Sequence, residues 1–395
     1  MFAQNIEKYK DEAVSVGVYD PNPKRAAIFV ERSGGSFPVY TDFDEMVKDS
    51  KADTVVVTTV DAFHHEYVIR SLELGCDVIC EKPMTTDAEK ANAIIKAEKE
   101  SNNKVIVTFN CRYMPFMAVI KKAIAEGKIG DVVSVHYEWN LDFDHGVSYF
   151  RRWNSEMKYS CGLQLHKSTH HFDLAHWFVG AEPETVFAFG DRRFYGAENG
   201  EAKAPHCYEC NEHCRFYSDI MVRDNVDKHF YYDCREHDGY TTDQCIYRKE
   251  IDIPDVLSVN IRYTNRAVMS YTLNTHSPYE GIKIAISGTK GRIEAEEHHC
   301  NWNESLNKKE IRYYPFDEWG KIEYLETPEV TGVHGGADEL LIDELMKGRK
   351  GEDTLNQAAG VREGAMSIGI GIAINESMRT GMPVKIKDLF PELYK

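Results

Sequence analysis

At 395 residues, 42% hydrophobic and 28% charged, the chain has a globular composition and a length that suits two domains better than one core. A formal net charge of -17 repels phosphate backbones and no basic stripe interrupts it, which argues against nucleic acid as a partner and for small, neutral or locally steered substrates. No apolar run approaches the width of a bilayer, and the stretch from Met1 to Lys10 lacks the basic start and apolar centre of a signal peptide; no membrane partner is expected, and the cytoplasm is the expected compartment.

In chain order, Ala13 to Asp20 alternates apolar and small residues and ends on an acid before the turn Pro21-Asn22-Pro23, which predicts a strand. Lys24 to Glu31 follows as a short helix broken by Gly34 and Gly35. Thr54 to Thr59 is a β-branched run of the kind buried on both faces of a parallel sheet. His64 to Leu74 has helical spacing and stops at Gly75. Asp77 to Cys80 reads as a buried strand. Thr86-Asp-Ala-Glu89 then forms a capping box that opens a helix through Ile94 and Ile95, and Lys104 to Phe109 is the next strand. Alternation at βαβ spacing predicts a doubly wound parallel sheet over residues 1–110.

From residue 111 the texture changes, and 111–395 is expected to form an α+β domain with a large, mainly antiparallel sheet. Tyr113 to Ile129 predicts one amphipathic helix closed by Gly130. Alternating strands follow at Val132 to Trp139, Val256 to Tyr263, Val268 to Leu273 and Ile282 to Ser287. Gly196 to Tyr247 is polar, aromatic and cysteine-rich, with no regular period. Ala358 to Met378 reads as a late helix that packs back on the first domain, and Met382 to Ile386 as a final short strand.

The chemistry centres on Glu81-Lys82-Pro83, at the carboxyl end of a predicted strand, where open parallel sheets bind ligands. Pro83 stops the strand and would hold the Lys82 ammonium in one orientation. Taken alone, the tripeptide also fits a solvated loop lysine paired with Glu81. His166, His170 and Asp173 stand at helical spacing and would share one face; an i, i+4 metal pair at His166 and His170 has no third ligand, and the residue after the first His is Lys167 rather than the Glu of a zinc hydrolase. His171 and His176 point elsewhere and read as core histidines bonded to the backbone. Lys167 and Arg112 suit substrate hydroxyls or a carboxylate, or else pair with local acids. Tyr113 and Trp139 suit the apolar face of a sugar, or the core, and Phe150 to Trp153 forms a loop placed to line a cleft. The ten cysteines read mainly as buried thiols. Cys207, Cys210 and Cys214, with Cys245 and Cys234 further on, have a spacing compatible with a structural zinc or with a loop of free thiols.

A dinucleotide-binding half should open with a strand, a Gly-x-Gly-x-x-Gly turn and a helix. The sequence has no such turn, and the stretch up to Lys10 reads as the end of that first helix. The opening strand and pyrophosphate loop are therefore expected to be missing, at a cost in cofactor affinity. Asp20 nevertheless falls where an acid hydrogen-bonds the ribose hydroxyls and favours NAD over NADP, with a turn cap as the alternative.

Together, Tyr19-Asp20, Thr58-Thr59 with His64, Glu81-Lys82-Pro83, Asn110 with Arg112-Tyr113, and His166 to Asp173 resemble, in order and spacing, the glucose-fructose oxidoreductase, inositol dehydrogenase and MocA family. Ser277 to Gly281, Gly288 to Arg292 and His334 to Asp338 add to the likeness. The resemblance implies that Lys82 is catalytic, with a cis proline after it, and that NAD is held by Asp20, Thr58, Thr59, His64, Glu81, Lys82 and Asn110. In the family a downstream Asp-x-x-x-His motif supplies the other polar groups; here His166 stands at the Asp, Lys167 follows, His170 is the His, and Asp173 matches a further acid. His166 and His170 join Lys82 as catalytic candidates, and Lys82, Arg112, Tyr113, His166, Lys167, His170 and Asp173 are the substrate-binding candidates. The variant is also seen in members acting on sugars and glycosides. The expected protein is an NAD-dependent dehydrogenase of a sugar, glycoside or cyclitol, and a homo-oligomer by resemblance. An NAD-retaining, redox-neutral glycosidase and a cofactor-free assembly subunit are the rivals.

Overall fold

Parallel pairing in the N-terminal part is divided between two ladders. Strand β1 (Val18–Tyr19) pairs with β2 (Val39–Tyr40), while β3 (Thr54–Val57), β4 (Asp77–Cys80) and β5 (Val105–Val107) form a second, three-stranded ladder. The computed structural model describes residue 2 and residues 6–222, 227–330, 333–349 and 351–394.

Helices α1 (Pro23–Ser33), α2 (Phe43–Ser50), α3 (His64–Glu73) and α4 (Ala88–Glu100) connect these strands. Their ends follow local chemistry. Asn22 caps α1 by accepting from the Arg25 amide at 3.2 Å, and Gly34 ends it at φ 71°. The cap of α4 is Asp87 rather than the expected Thr86, its carboxylate accepting from the Lys90 amide at 2.9 Å. The strand expected over Ala13 to Asp20 contracts to β1, and Val14 and Val16 are exposed.

The helix expected over Tyr113 to Ile129 is a 3-10 turn, Asn110–Tyr113, followed by α5 (Pro115–Ala125). Met114 precedes a proline and is held extended, at φ -61° and ψ 122°, so the helix starts anew at Pro115. Beyond it, β6 (Val132–Asp142), α6 (Phe143–Phe150), α7 (Leu163–His166) and α8 (Thr169–Val179) lead into β7 (Pro183–Asp191), β8 (Val256–Tyr263), β9 (Val268–Ser277), β10 (Glu280–Gly288), β11 (Gly291–His299), β12 (Lys308–Pro315) and β13 (Glu323–Tyr324). Helices α9 (Ala337–Lys347) and α10 (Val361–Thr380) and strand β14 (Val384–Lys385) complete the order.

The large sheet has nine strands in the order β13-β12-β11-β10-β6-β9-β8-β7-β14, antiparallel except for β6 beside β9. Alternation turns Val135, Tyr137, Ile261, Met269, Leu273, Ile284 and Ile286 inward, and α8 and α10 cover that face. Helix α10 also packs on β5 and α4, and the Val107 amide donates to the Ala359 carbonyl at 3.0 Å, so this late helix joins the two sheets. The packing puts the carboxyl ends of β3 to β5 opposite α7 and α8. Among the described residues, no helix is long and apolar enough to cross a membrane.

Candidate active site

Strand β4 delivers Lys82. The Glu81 amide still pairs with the Val57 carbonyl at 2.9 Å, so the chain leaves the sheet only at Lys82, and the Lys82–Pro83 peptide is cis. The Lys82 Nζ donates to the carbonyl of His166 at 3.3 Å, across the cleft between the two sheets. Burial pushes its pKa below the ordinary lysine value; Asp61 and Glu81 oppose that, and the nearby Lys167 ammonium reinforces it.

His166 is held from the other side. Its Nδ1 lies 2.6 Å from the Asp61 carboxylate, which is itself buried, and its Nε2 lies 3.2 Å from the Asn154 side-chain nitrogen. Burial lowers the His166 pKa, opposed by Asp61. A neutral ring fits this network with its proton on Nδ1, donated to Asp61, and with Nε2 accepting from Asn154. The Trp153 and Tyr149 rings meet His166 edge-on, at centroid distances of 5.3 and 5.8 Å.

Lys167 completes the polar wall. Its Nζ sits 5.0 Å from the centroid of the Trp139 ring, with the Tyr149 hydroxyl among the groups that act on its charge. Burial lowers the Lys167 pKa, but Tyr149 and Glu280 outweigh it and the net shift is upward. The Tyr149 hydroxyl lies 3.0 Å from Nε2 of His145, whose Nδ1 lies 3.1 Å from Glu280. Two neighbouring lysines are thus driven apart: Lys167 stays an ammonium and Lys82 is pressed to lose its proton. Cys111, close to both, has its thiol pushed up to about 12 by burial and remains neutral.

Several expected site residues do other work. Helix α7 ends at His166 and α8 starts after Ser168, so the single helical face expected for His166, His170 and Asp173 is broken. Arg112 is not available to substrate: its guanidinium grips Asp173 in two bonds of 2.7 and 2.8 Å and donates to the carbonyls of Asn356 and Ala358. The Arg112 and Asp173 side chains are 3% and 1% exposed, so Asp173 is excluded for the same reason. Tyr113 packs with Ala337 and Leu341, and its hydroxyl donates to Glu344 at 2.9 Å; it belongs to the α9 contact and not to the cleft. His170 is buried, its ring edge-on to Phe109 at 6.4 Å. His171 is buried but meets the Tyr271 hydroxyl, at 2.8 Å, rather than the backbone expected for it, and His176, bonded to the Ala181 carbonyl at 2.9 Å, is half-buried. Trp139 stacks on His171 with centroids 4.2 Å apart.

On the cofactor side, His64 is a brace. Its nitrogens face the carbonyls of Pro83 at 2.8 Å and Thr59 at 3.0 Å, tying the Thr58-Thr59 loop to the Lys82 turn. Thr58 is exposed and Thr59 half-buried at the carboxyl end of β3. Asp20 receives the Asn22 amide on Oδ1 at 2.7 Å. Glu81 accepts from the Lys82 amide at 3.2 Å, and burial raises its pKa. Asn110 donates to Asp338 at 2.6 Å, while its buried Oδ1 has no hydrogen-bond partner among the described residues.

Sequence reasoning passed over Asp61, Tyr149, His145 and Asn154. Asp61 carried a signal: an acid inside Val60-Asp-Ala-Phe63, between two segments already singled out. Among the cysteines, Cys207 is buried and accepts from Arg151 at 3.3 Å, Cys210 donates to the Glu212 carbonyl at 3.3 Å, and Cys234 donates to the His229 carbonyl at 3.2 Å. Cys207, Cys210 and Cys214 neighbour Cys245. All ten thiols are free, and among the described residues no set of three or more His, Cys, Asp or Glu side chains is disposed to hold a metal ion. Of the two readings of this cluster, a structural zinc or a loop of free thiols, the zinc has no assembled ligand set among the described residues.

Two sequence profiles match the chain: oxidoreductase family, NAD-binding Rossmann fold, over residues 1–109, and oxidoreductase family, C-terminal alpha/beta domain, over residues 121–386. YteT of Bacillus subtilis (strain 168), which carries an oxidoreductase name, is 37% identical over 404 residues, covering 98% of this chain and 94% of that one. A levoglucosan dehydrogenase of Pseudarthrobacter phenanthrenivorans is 30% identical over 167 residues, 41% of this chain and 42% of the relative. A levoglucosan dehydrogenase structure in complex with NADH and levoglucosan superposes with a TM-score of 0.67 at 19% identity, covering 97% of this chain and 94% of that one, and speaks to the fold alone.

Proposed function

The chain belongs to the glucose-fructose oxidoreductase, inositol dehydrogenase and MocA family of oxidoreductases, and from that membership we propose that it is an NAD-dependent dehydrogenase that oxidises a ring hydroxyl, C3 foremost, of a sugar, glycoside or cyclitol to a ketone. The observation that carries the reading is the pairing, across one cleft, of a lysine pressed toward its neutral form with an imidazole fixed by Asp61. Relatives named for levoglucosan and inositol dehydrogenation support the substrate class. The proposed boundary between dinucleotide and substrate domains is 110/111. A homo-oligomer and a cytoplasmic setting belong to the same reading.

Residues present fit a dinucleotide at both ends. Asp20 suits the ribose hydroxyls, Thr58, Thr59 and Glu81 line the strand ends, and the buried Oδ1 of Asn110, without a partner among the described residues, suits an amide donor. The bound nicotinamide would supply a hydride acceptor. Neutral Lys82 removes the hydroxyl proton as the carbinol carbon gives up its hydride, leaving a ketone and a charged lysine. Lys167, held as an ammonium by Tyr149 and Glu280, keeps Lys82 poised for this and donates to a substrate oxygen. His166 orients the substrate with its ring set by Asp61, and His170 is the second acid–base group. The Trp139 ring, beside Lys167, suits the apolar face of a sugar.

The test is NADH formation across a panel of sugars, glycosides and inositols, with Lys82→Ala alongside. The variant should keep its melting temperature and NADH binding while turnover falls by at least about 10²-fold, the scale of a lost general base. Substantial residual turnover would remove Lys82 from its role, and a reaction that releases no NADH would favour the redox-neutral alternative.

A further inference from the structure

The segment Lys228 to Asp238, from the cysteine-rich stretch between β7 and β8, does not stay with its own sheet. It lies against α1 of the first domain, beside Asp20. Asn22 donates through Nδ2 to the Cys234 carbonyl at 2.9 Å and to Asp238 Oδ2 at 3.0 Å. Arg25 donates through Nε to the Phe230 carbonyl at 3.1 Å and through Nη2 to Asp238 Oδ2 at 2.7 Å, and its Nη1 is 3.7 Å from Asp20. The Tyr231 ring lies under the guanidinium, 5.7 Å from centroid to carbon, and Lys24 meets Glu236 at 3.4 Å.

Arg25 therefore has the position of the arginine that accepts a 2′-phosphate in NADP-binding folds, close to the strand-end acid, but its donors are engaged from the opposite domain. Asp20 and Asp238 place two carboxylates around it, where a phosphate would be repelled. We propose that Asp238 is a cofactor-specificity residue: by holding Arg25 and adding a second carboxylate beside Asp20, the Lys228 to Asp238 strap excludes the 2′-phosphate of NADP and leaves the adenosine ribose site to NAD. This rests on the dinucleotide reading above and adds to it a residue outside the dinucleotide-binding domain.

Binding of NADH, NADPH and adenosine 2′,5′-bisphosphate to the full chain, read by fluorescence and calorimetry, tests it without turnover. Asp238→Asn keeps an oxygen for the Tyr240 amide, which Asp238 Oδ1 accepts at 3.0 Å, and turns an amide toward Arg25. NADPH and the bisphosphate should then bind about tenfold tighter, the order of one nearby charge–charge term, with NADH changed little. Adding Arg25→Ala should abolish that gain. Alone, Arg25→Ala should leave NADPH binding as weak as in the parent, because the guanidinium is already engaged; a marked further loss would show Arg25 serving the phosphate and overturn the proposal even if Asp238→Asn did not fold. No gain for Asp238→Asn with NADH binding intact, or a parent protein that binds both cofactors equally, overturns the strap and leaves the dinucleotide reading standing. Binding of neither cofactor by the parent overturns both.

Discussion

Asp61 and His166 meet at 2.6 Å although they come from opposite sides of the cleft, Asp61 from the loop after β3 and His166 from the end of α7. The imidazole comes from the C-terminal part of the chain and the carboxylate from the parallel-sheet part. Asp61→Asn should leave His166 free to take the wrong tautomer and lower kcat/KM by about 10²-fold, as expected when the orienting group of a catalytic imidazole is lost. The same change removes a charge that raises the Lys82 pKa, so the ascending, acid-side limb of the pH profile should move to lower pH. A profile that does not move would separate Asp61 from Lys82.

Lys167 gives the complementary shift. Its ammonium is one of the influences that lower the Lys82 pKa. Activity of a neutral amine base rises as pH climbs through its folded pKa, so Lys167→Met should carry that limb to higher pH and raise KM through the lost substrate contact. An unshifted limb with only KM altered would confine Lys167 to binding.

Arg112 and Asp173 are a stability pair. Each is an otherwise costly buried charge, answered bidentately by the other. Removing one partner by Arg112→Met or Asp173→Leu should destabilise by about 3–5 kcal/mol, and the double variant should recover much of that loss, since no uncompensated charge remains. Denaturant melts of the four proteins check this; additive losses would show that the charges do not act as a pair.

Much of the fold is written locally. The βαβ alternation, the αL stop at Gly34 and the period of β8 are one-dimensional patterns, and β8 follows its predicted span from Val256 to Tyr263. Residue identity near the site was legible where a motif carried it, as at Lys82. Partner choice was not: Arg112 and Asp173 looked like substrate ligands because their pairing depends on a contact between residues 61 positions apart, and the break at Lys167 to Ser168 depends on packing that helical spacing does not report. The Lys228 to Asp238 strap has no periodicity to announce where it docks.

His171 supplies a test of the core by pH. Its ring stacks on Trp139 and Tyr137 and meets Tyr271, and burial holds its pKa well below the ordinary histidine value, with Lys167 and Lys82 adding to the shift. His166 and His176 are lowered in the same direction, chiefly by burial. A base depressed in the folded state binds fewer protons there than when unfolded, so the stability it contributes is complete above the unfolded pKa of about 6.5 and is lost as pH falls below it. Unfolding free energy should therefore decline from neutral pH toward acid, measured by urea melts at successive pH values. In His171→Asn, less stable at neutral pH, that decline should be shallower because one such group is gone; an unchanged slope would mean that His171 titrates alike in both states and is not held neutral by its surroundings.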